Sequence, residues 1–296
     1  MHREGKSLIR SFLSRRACRR PSERNRGSIL FLAVGAIAVL TILAAGASSV
    51  VSQEWKLASF LTDANTSFYD ALSTIRVMKQ IWVLRSSPLV MSFYDLRTRD
   101  LAFGDKVVTL VCYDEQALVP IAHADRSTLL QLPGIVGNEA LLNAILATPL
   151  YVKEDLLSAE GVTEDVYGQL KGVVTIYGAG RVNINTAAAE AMTAMGAPQA
   201  LVVRIQQYRA GIDGFEGTAD DGVFSDVYHI ADVLEPYGLT AAERQWIETT
   251  VLAQQLTTGS SAVRFDMTVK KGKKTLRHFL VTVDISTGVI LRWDEQ

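Results

Sequence analysis

From Ser28 to Ser52 the chain carries no charge and consists almost wholly of aliphatic and small residues. About 20 such residues cross the hydrocarbon core as a helix, so the pattern predicts a membrane-spanning helix here. The apolar pattern does not stop at Ser52. Leu57, Leu61, Ala64, Phe68, Leu72, Ile75, Val77, Met78 and Trp82 recur at steps of mostly three and four, the period of an amphipathic helix. No Pro or Gly falls between Gly46 and Arg85, and Pro88 supplies the stop. Residues 28–84 are therefore predicted as one rod, about 85 Å long at 1.5 Å per residue. Its first half lies in lipid, and its second half lays one stripe against a soluble domain.

The period changes after the rod. A turn at Gly104-Asp105 leads into Lys106–Tyr113, a β-branched run that reads as a strand. Matching strands come much later. Val263, Phe265, Met267 and Val269 alternate with polar residues, the lysine-rich turn 270–274 follows, and Phe279, Val281, Val283 and Ile285 alternate in turn. Thr287-Gly288 then turns into Val289, Leu291 and Trp293. Such a meander has one apolar face and no partner surface of its own, and the long helix offers one. The predicted class is α+β: a long N-terminal helix packed on a small antiparallel sheet formed by 85–113 and 260–296.

Between these strands, residues 114–259 read as an almost wholly helical insertion. Two related units are discernible. The clearer runs from Asn183-Ile184-Asn185-Thr186 through a helix to Gly196, and then from Pro198 into Leu201–Arg209. Asn185 or Thr186 is placed to cap the first helix, and Gly196 and Pro198 form the break between the two. The unit resembles a helix-hairpin-helix. A fainter copy spans Asp114–Leu146, with Pro120-Ile121-Ala122 where the clearer unit has its Asn-x-Asn.

Charge divides sharply along the chain. Residues 1–27 hold nine basic and two acidic side chains, which leaves 21 basic and 29 acidic residues for the remainder. By the positive-inside rule the basic end stays in the cytoplasm and everything after the span goes outside. An acidic body is a poor match for a phosphate backbone, and the Met195–Pro198 hairpin holds one glycine and no basic residue. No nucleic-acid partner is therefore expected. Cys18 falls in the leader and Cys112 stands alone in the body, where it reads as a small buried hydrophobe.

A basic leader ending in Gly27, followed at once by the apolar helix from Ser28, resembles the N-terminus of type IV prepilins and type II secretion pseudopilins. The resemblance implies that a prepilin peptidase cuts between Gly27 and Ser28, removes the leader 1–27, and leaves a helix that is often N-methylated. Most such chains carry Glu at the fifth mature position, which here is Leu32. The K-type minor pseudopilins (the GspK family) lack that Glu. Glu154–Leu170, Val174–Gly178 and Val182–Ala187 occur in the order found in that branch, and Phe265, Arg277 and Trp293 on the closing strands also fit. The resemblance implies a subunit at the tip of a pseudopilus that initiates or caps assembly for export of folded proteins across the outer membrane. Its partners would be the other minor pseudopilins and the major pseudopilin, and its site the inner membrane. In the family the missing carboxylate pairs with a neighbouring subunit's N-terminal amine, and a first subunit has no such amine to meet.

One loop carries candidate ligands. Gly211–Gly222 sets Asp213, Glu216, Thr218, Asp220 and Asp221 among glycines, the hard-oxygen chemistry that Ca²⁺ prefers. The spacing is not that of an EF-hand, since no Glu stands at position 12. A solvated acidic turn is the plain alternative. Resemblance to the K-type branch, whose members carry calcium in this domain, favours the metal. Asp213, Asp220 and Asp221 are the leading ligands, with Glu216 and the Thr218 carbonyl behind them.

Catalytic patterns are missing from the sequence. The histidines at 2, 123, 229 and 278 are scattered, and there is no nucleophile elbow, phosphate loop or dinucleotide fingerprint. An enzyme is not expected. Other readings remain open: a plain signal anchor, a secretory signal cut near Ala45-Gly46-Ala47, a membrane-tethered helix-hairpin-helix DNA receptor, and a minor pilin of a type IV pilus.

Overall fold

The computed structural model describes residues 23–85 and 90–296, with side chains from Ser28 onward. The leader up to residue 22, Cys18 within it, and the predicted stop at Pro88 lie outside the described residues. The chain divides after Leu61 into two units.

The first element is the helix α1, Glu23–Val83. It begins ahead of Ser28 because Glu23–Arg26 contain no breaker, and one glycine inside a long helix costs only about 1 kcal/mol. From Ser28 to Leu61 its side chains are exposed. Its buried stripe is narrower than the periodicity predicts. Leu57 and Leu61 are open, and burial runs through Ser67, Ala71, Thr74, Ile75, Met78 and Trp82. The two hydroxyls in that stripe are satisfied within the helix: Ser67 donates to Asp63 O at 2.6 Å and Thr74 to Asp70 O at 2.9 Å. Back-bonding of this kind lets Ser and Thr occupy a helix face that packs on a core.

A short helix α2, Phe93–Leu96, leads into the sheet. Strands β1 (Arg99–Phe103) and β2 (Lys106–Asp114) form a hairpin across Gly104-Asp105. The chain then leaves the sheet and returns for β7 (Ala262–Lys271), β8 (Lys274–Asp284) and β9 (Ile290–Glu295). The five strands lie in the order β1-β2-β7-β8-β9, all antiparallel. One row across the sheet aligns Cys112, Phe265, Val281 and Trp293. Because side chains alternate with a period of two, that row shares one face, and its members pack in the core beneath α1. Trp82 lies 5.7 Å from Phe265 between ring centroids, and Phe68 lies 4.9 Å from Trp293. Burying a side chain as fully as Phe265 contributes about 1.5–3 kcal/mol relative to leaving it in water. Asp70 of α1 pairs with Lys106 at the start of β2. Burial also pushes the Cys112 thiol up to about 12, which keeps it protonated and inert.

The segment between β2 and β7 has two cores. The first is built by β3 (Val119–Pro120), α3 (Arg126–Leu129), α4 (Glu139–Ala147), α5 (Glu164–Leu170) and β4 (Val174–Thr175). The second is built by β5 (Val182–Asn183), α6 (Ala189–Ala194), α7 (Gln199–Arg209), α8 (Ile230–Leu234), α9 (Ala241–Leu252) and β6 (Leu256–Thr257). Each core opens and closes on a two-residue parallel ladder: Val119 faces Val174, and Val182 faces Leu256. The segment is thus less helical than its sequence predicts. Its helices are short, and turns and these ladders carry much of the path.

Candidate functional site

Two regions correspond to the residues singled out by sequence. The first is the open part of α1. Its most apolar window has a mean hydropathy of 2.6 and none of it is buried. That is compatible with a single-pass membrane anchor. Gly27 and Ser28 both fall inside α1, so the predicted processing junction is helical in the uncut chain. Leu32 is 73% exposed, an apolar side chain with nothing of its own fold to cover it.

The second region begins at Asn183-Ile184-Asn185-Thr186. The expectation that Asn185 or Thr186 caps α6 does not hold, because Ala188 is the N-cap and no side chain bonds there. These residues instead tie distant segments together. Asn183 Nδ2 donates to Met91 O at 3.0 Å and to Asp114 Oδ2 at 2.8 Å. Thr186 donates to the same oxygen at 2.6 Å, and the Gln116 amide donates to Asp114 Oδ1 at 2.7 Å. Asn185 Nδ2 donates to Phe224 O and Thr258 O, while its Oδ1 accepts from the Phe224 amide. Burial pushes the Asp114 carboxyl above its usual range, and its Ser260, Thr186 and Asn183 partners and the Gln116 amide oppose the push. Buried polar groups are costly unless paired, so the motif works as a fastener between sheet and insertion.

Arg209, which the sequence did not mark, joins this fastener to the acidic loop. Its Nη1 donates to Ile184 O at 3.2 Å and Ala187 O at 2.9 Å, and its Nε donates to Glu216 Oε1 at 2.7 Å. The side chain is almost fully buried. Desolvation pulls its pKa down, and the Glu216 carboxylate opposes that pull. The signal was there in principle: an arginine closing an apolar helix just before an acidic loop.

The loop itself is knit by its own carboxylates. Asp220 Oδ2 accepts from the amides of Ile212 at 2.8 Å and Asp213 at 3.1 Å, and its Oδ1 accepts from the Thr218 hydroxyl at 2.7 Å. Asp221 takes the amides of Gly217 and Thr218 at 2.7 and 3.0 Å. Asp213 accepts from the Phe215 amide at 2.8 Å. These bonds, led by the Thr218 hydroxyl, hold the Asp220 carboxyl down at about 2. The five predicted ligands are therefore neighbours, but Asp213, Glu216, Asp220 and Asp221 spend oxygens on amides, a hydroxyl and a guanidinium. Among the described residues no three His, Cys, Asp or Glu side chains come together to hold a metal. In this arrangement the set does not fit a cation without rearrangement. The loop also presses on its neighbours. A Cβ on Gly222 would meet Tyr208 O at 2.2 Å, and one on Gly211, at φ +60°, would meet Asp220 O at 2.4 Å.

Among the described residues, the histidines at 123, 229 and 278 do not converge on either region. His278 lies on β8, 2.7 Å from Asp266 Oδ1, and His229 is 3.6 Å from Asp226.

No protein-family model matches the chain, and no curated protein matches it. A solved structure does. The chain is similar to a chain of the GspK-GspI-GspJ complex from the type 2 secretion system of enterotoxigenic Escherichia coli, with a TM-score of 0.52 at 13% identity. The match covers 79% of this chain and 99% of that one. The fold is thus pseudopilin-like: a long N-terminal helix against an antiparallel sheet.

Proposed function

We propose that this chain is a minor pseudopilin of the K type, placed at the tip of a type II secretion pseudopilus. One observation carries the reading. A single helix, α1, is open and apolar from Ser28 to Leu61 and buried against an antiparallel sheet from Ser67 to Trp82. An anchor alone needs no sheet, and a core helix alone would not leave its apolar half uncovered. One rod serving both purposes suits a subunit that leaves a bilayer and enters a bundle of like helices. The similarity of fold to a chain of a minor pseudopilin complex supports the same role.

Under this reading a prepilin peptidase cuts after Gly27, with the N-terminus in the cytoplasm and the body outside the inner membrane. Leu32 then faces apolar neighbours where other subunits present Glu, which supports a subunit with none above it. The bulk of the segment between β2 and β7 supports a capping place, since it would obstruct further addition. The partners are other minor pseudopilins and the major pseudopilin. The role is assembly, with no reaction of its own. Calcium at the acidic loop belongs to the same proposal: the hard oxygens are at hand, and binding would exchange their present donors for the cation.

The deciding experiment is the mass of the chain after coexpression with a prepilin peptidase. A species beginning at Ser28, one methyl heavier where the amine is modified, is the expected product. An intact Met1, or a start near Ser48, overturns the assembly reading.

A further inference from the structure

A cavity of about 430 Å³ opens where the segment between β2 and β7 meets the sheet, lined among others by Glu115, Lys153, Tyr177, Arg264 and Arg292. Three of its lining atoms, Lys153 Nζ, Tyr177 Oη and Arg264 Nε, are buried without a hydrogen-bond partner. Arg99 Nε, elsewhere, completes that set among the described residues. Unpaired buried donors are rare in folded proteins, and a water or an ion in the cavity is what ordinarily pairs them.

Glu115 is the nearest acceptor and cannot serve them all. Its Oε2 already takes the Thr175 hydroxyl at 2.8 Å. Lys153 Nζ stands 2.9 Å from that oxygen as its ion-pair partner. An ammonium has three N–H donors, so the pairing leaves Lys153 with donors to spare. Arg264 Nε is 3.8 Å from Glu115 Oε1, beyond bonding reach. The Arg292 guanidinium lies beside Tyr177 Oη and, being a donor only, gives that phenol's proton no acceptor. Arg292 is otherwise engaged, with Glu154 at 2.6 and 3.1 Å and Asp294 at 2.5 Å. Four cationic and three acidic side chains line the cavity, so one positive charge is in excess within an otherwise acidic body.

We propose that this cavity is a binding site for a small oxyanion, a carboxylate or a phosphate, received by Lys153 Nζ, Arg264 Nε and Tyr177 Oη. Two cations and a phenol converging on one space supply charge-assisted bonds to a compact anion. A cation would meet the excess positive charge. An apolar ligand would leave all three donors unpaired. The site stands independently of the assembly role.

The test is calorimetric titration of the full chain in detergent with inorganic phosphate and, separately, with acetate, against chloride at matched ionic strength. Saturable binding of either, at millimolar concentration or tighter, is expected, and the preferred anion identifies the class. Tyr177→Phe and Arg264→Gln should each weaken it about tenfold, the loss of one bond to a charged group. Lys273→Gln, on the turn between β7 and β8, should leave it unchanged. No saturable heat with either anion, or equal affinity in both cavity variants, overturns the proposal.

Discussion

Thr186 donates its hydroxyl to Asp114 over 2.6 Å, joining the end of β2 to a motif in the second core of the insertion. Asn183 reaches the same carboxylate oxygen, and the Gln116 amide takes the other. Asp114→Ala strands three donors in a buried place, and loss on the order of 3 kcal/mol is expected. Asp114→Asn keeps one acceptor but sets an NH₂ against donors, for about 1–3 kcal/mol. Thermal or denaturant unfolding checks both. A change within about 0.5 kcal/mol in either variant, the usual effect of a surface substitution, would show that the fastener does not matter.

The two halves of α1 should answer differently to tryptophan removal. Trp82 is 3% exposed and packs on Phe265, whereas Trp55 is 73% exposed. Trp82→Ala is expected to cost about 3–5 kcal/mol, and Trp55→Ala to leave the stability of the body unchanged. Melting curves of the two variants in the same detergent compare them directly.

The acidic loop has a defined acid limit. The Asp220 carboxyl, held by the Thr218 hydroxyl and two amides, titrates at about 2, below its ordinary value of 3.8. A folded-state pKa that is depressed gives a contribution present above the ordinary value and lost as pH falls through the folded one. The Ile212 and Asp213 amides should therefore stay protected down to about pH 4 and lose protection between about pH 4 and 2. Amide exchange at those two positions, followed against pH, reads this. In Asp220→Asn the same step should vanish.

Two glycines of this loop are fixed by contact and a third by conformation alone. Gly222→Ala and Gly211→Ala each drive a Cβ into a carbonyl oxygen, at 2.2 and 2.4 Å, and should cost about 1–3 kcal/mol. Gly214, at φ +78° with open space around it, should cost only about 1–2 kcal/mol when changed to Ala. The order of the three melting temperatures is the observable. Gly214→Ala ranking as the most damaging would contradict the contact geometry.

Calcium poses a sharper question after the loop's own bonds are known. A titration with the metal should raise the melting temperature of the full chain and change amide protection at Ile212 and Asp213, as Asp220 gives up those donors. Asp221→Asn and Asp220→Asn should abolish both effects. No response at millimolar calcium leaves a loop closed by hydrogen bonds alone.

The sheet was largely legible in the sequence. The alternation of Val263, Phe265, Met267 and Val269 named the buried face of β7, and all four lie in the core. Period two survives burial on one side, so it reads directly. The helix stripe was legible in period but not in extent, because nothing local distinguishes Leu61, left open, from Met78, covered by strands far along the chain. The fastener was not legible as such. Asn185 looks like a cap because capping is local, whereas its partners, Phe224 and Thr258, are 39 and 73 residues away. The acidic loop shows the same limit: carboxylates among glycines name a metal or a tied turn equally well, and only the placed amides tell which donors are present.

Strands β2 and β7 are neighbours in the sheet although both cores of the insertion intervene between them. The stripe on α1 thus has no complete surface to rest on until β7, β8 and β9 have been made. For a chain made from its N-terminus, Met78 and Trp82 lack that cover until then, the condition under which apolar surface is aggregation-prone. The two-residue ladders offer a remedy. By joining Val119 to Val174 and Val182 to Leu256, they shorten the gap that β7 must close before it finds β2. The insertion, read this way, sets the timetable on which the sheet closes over the buried stripe of α1.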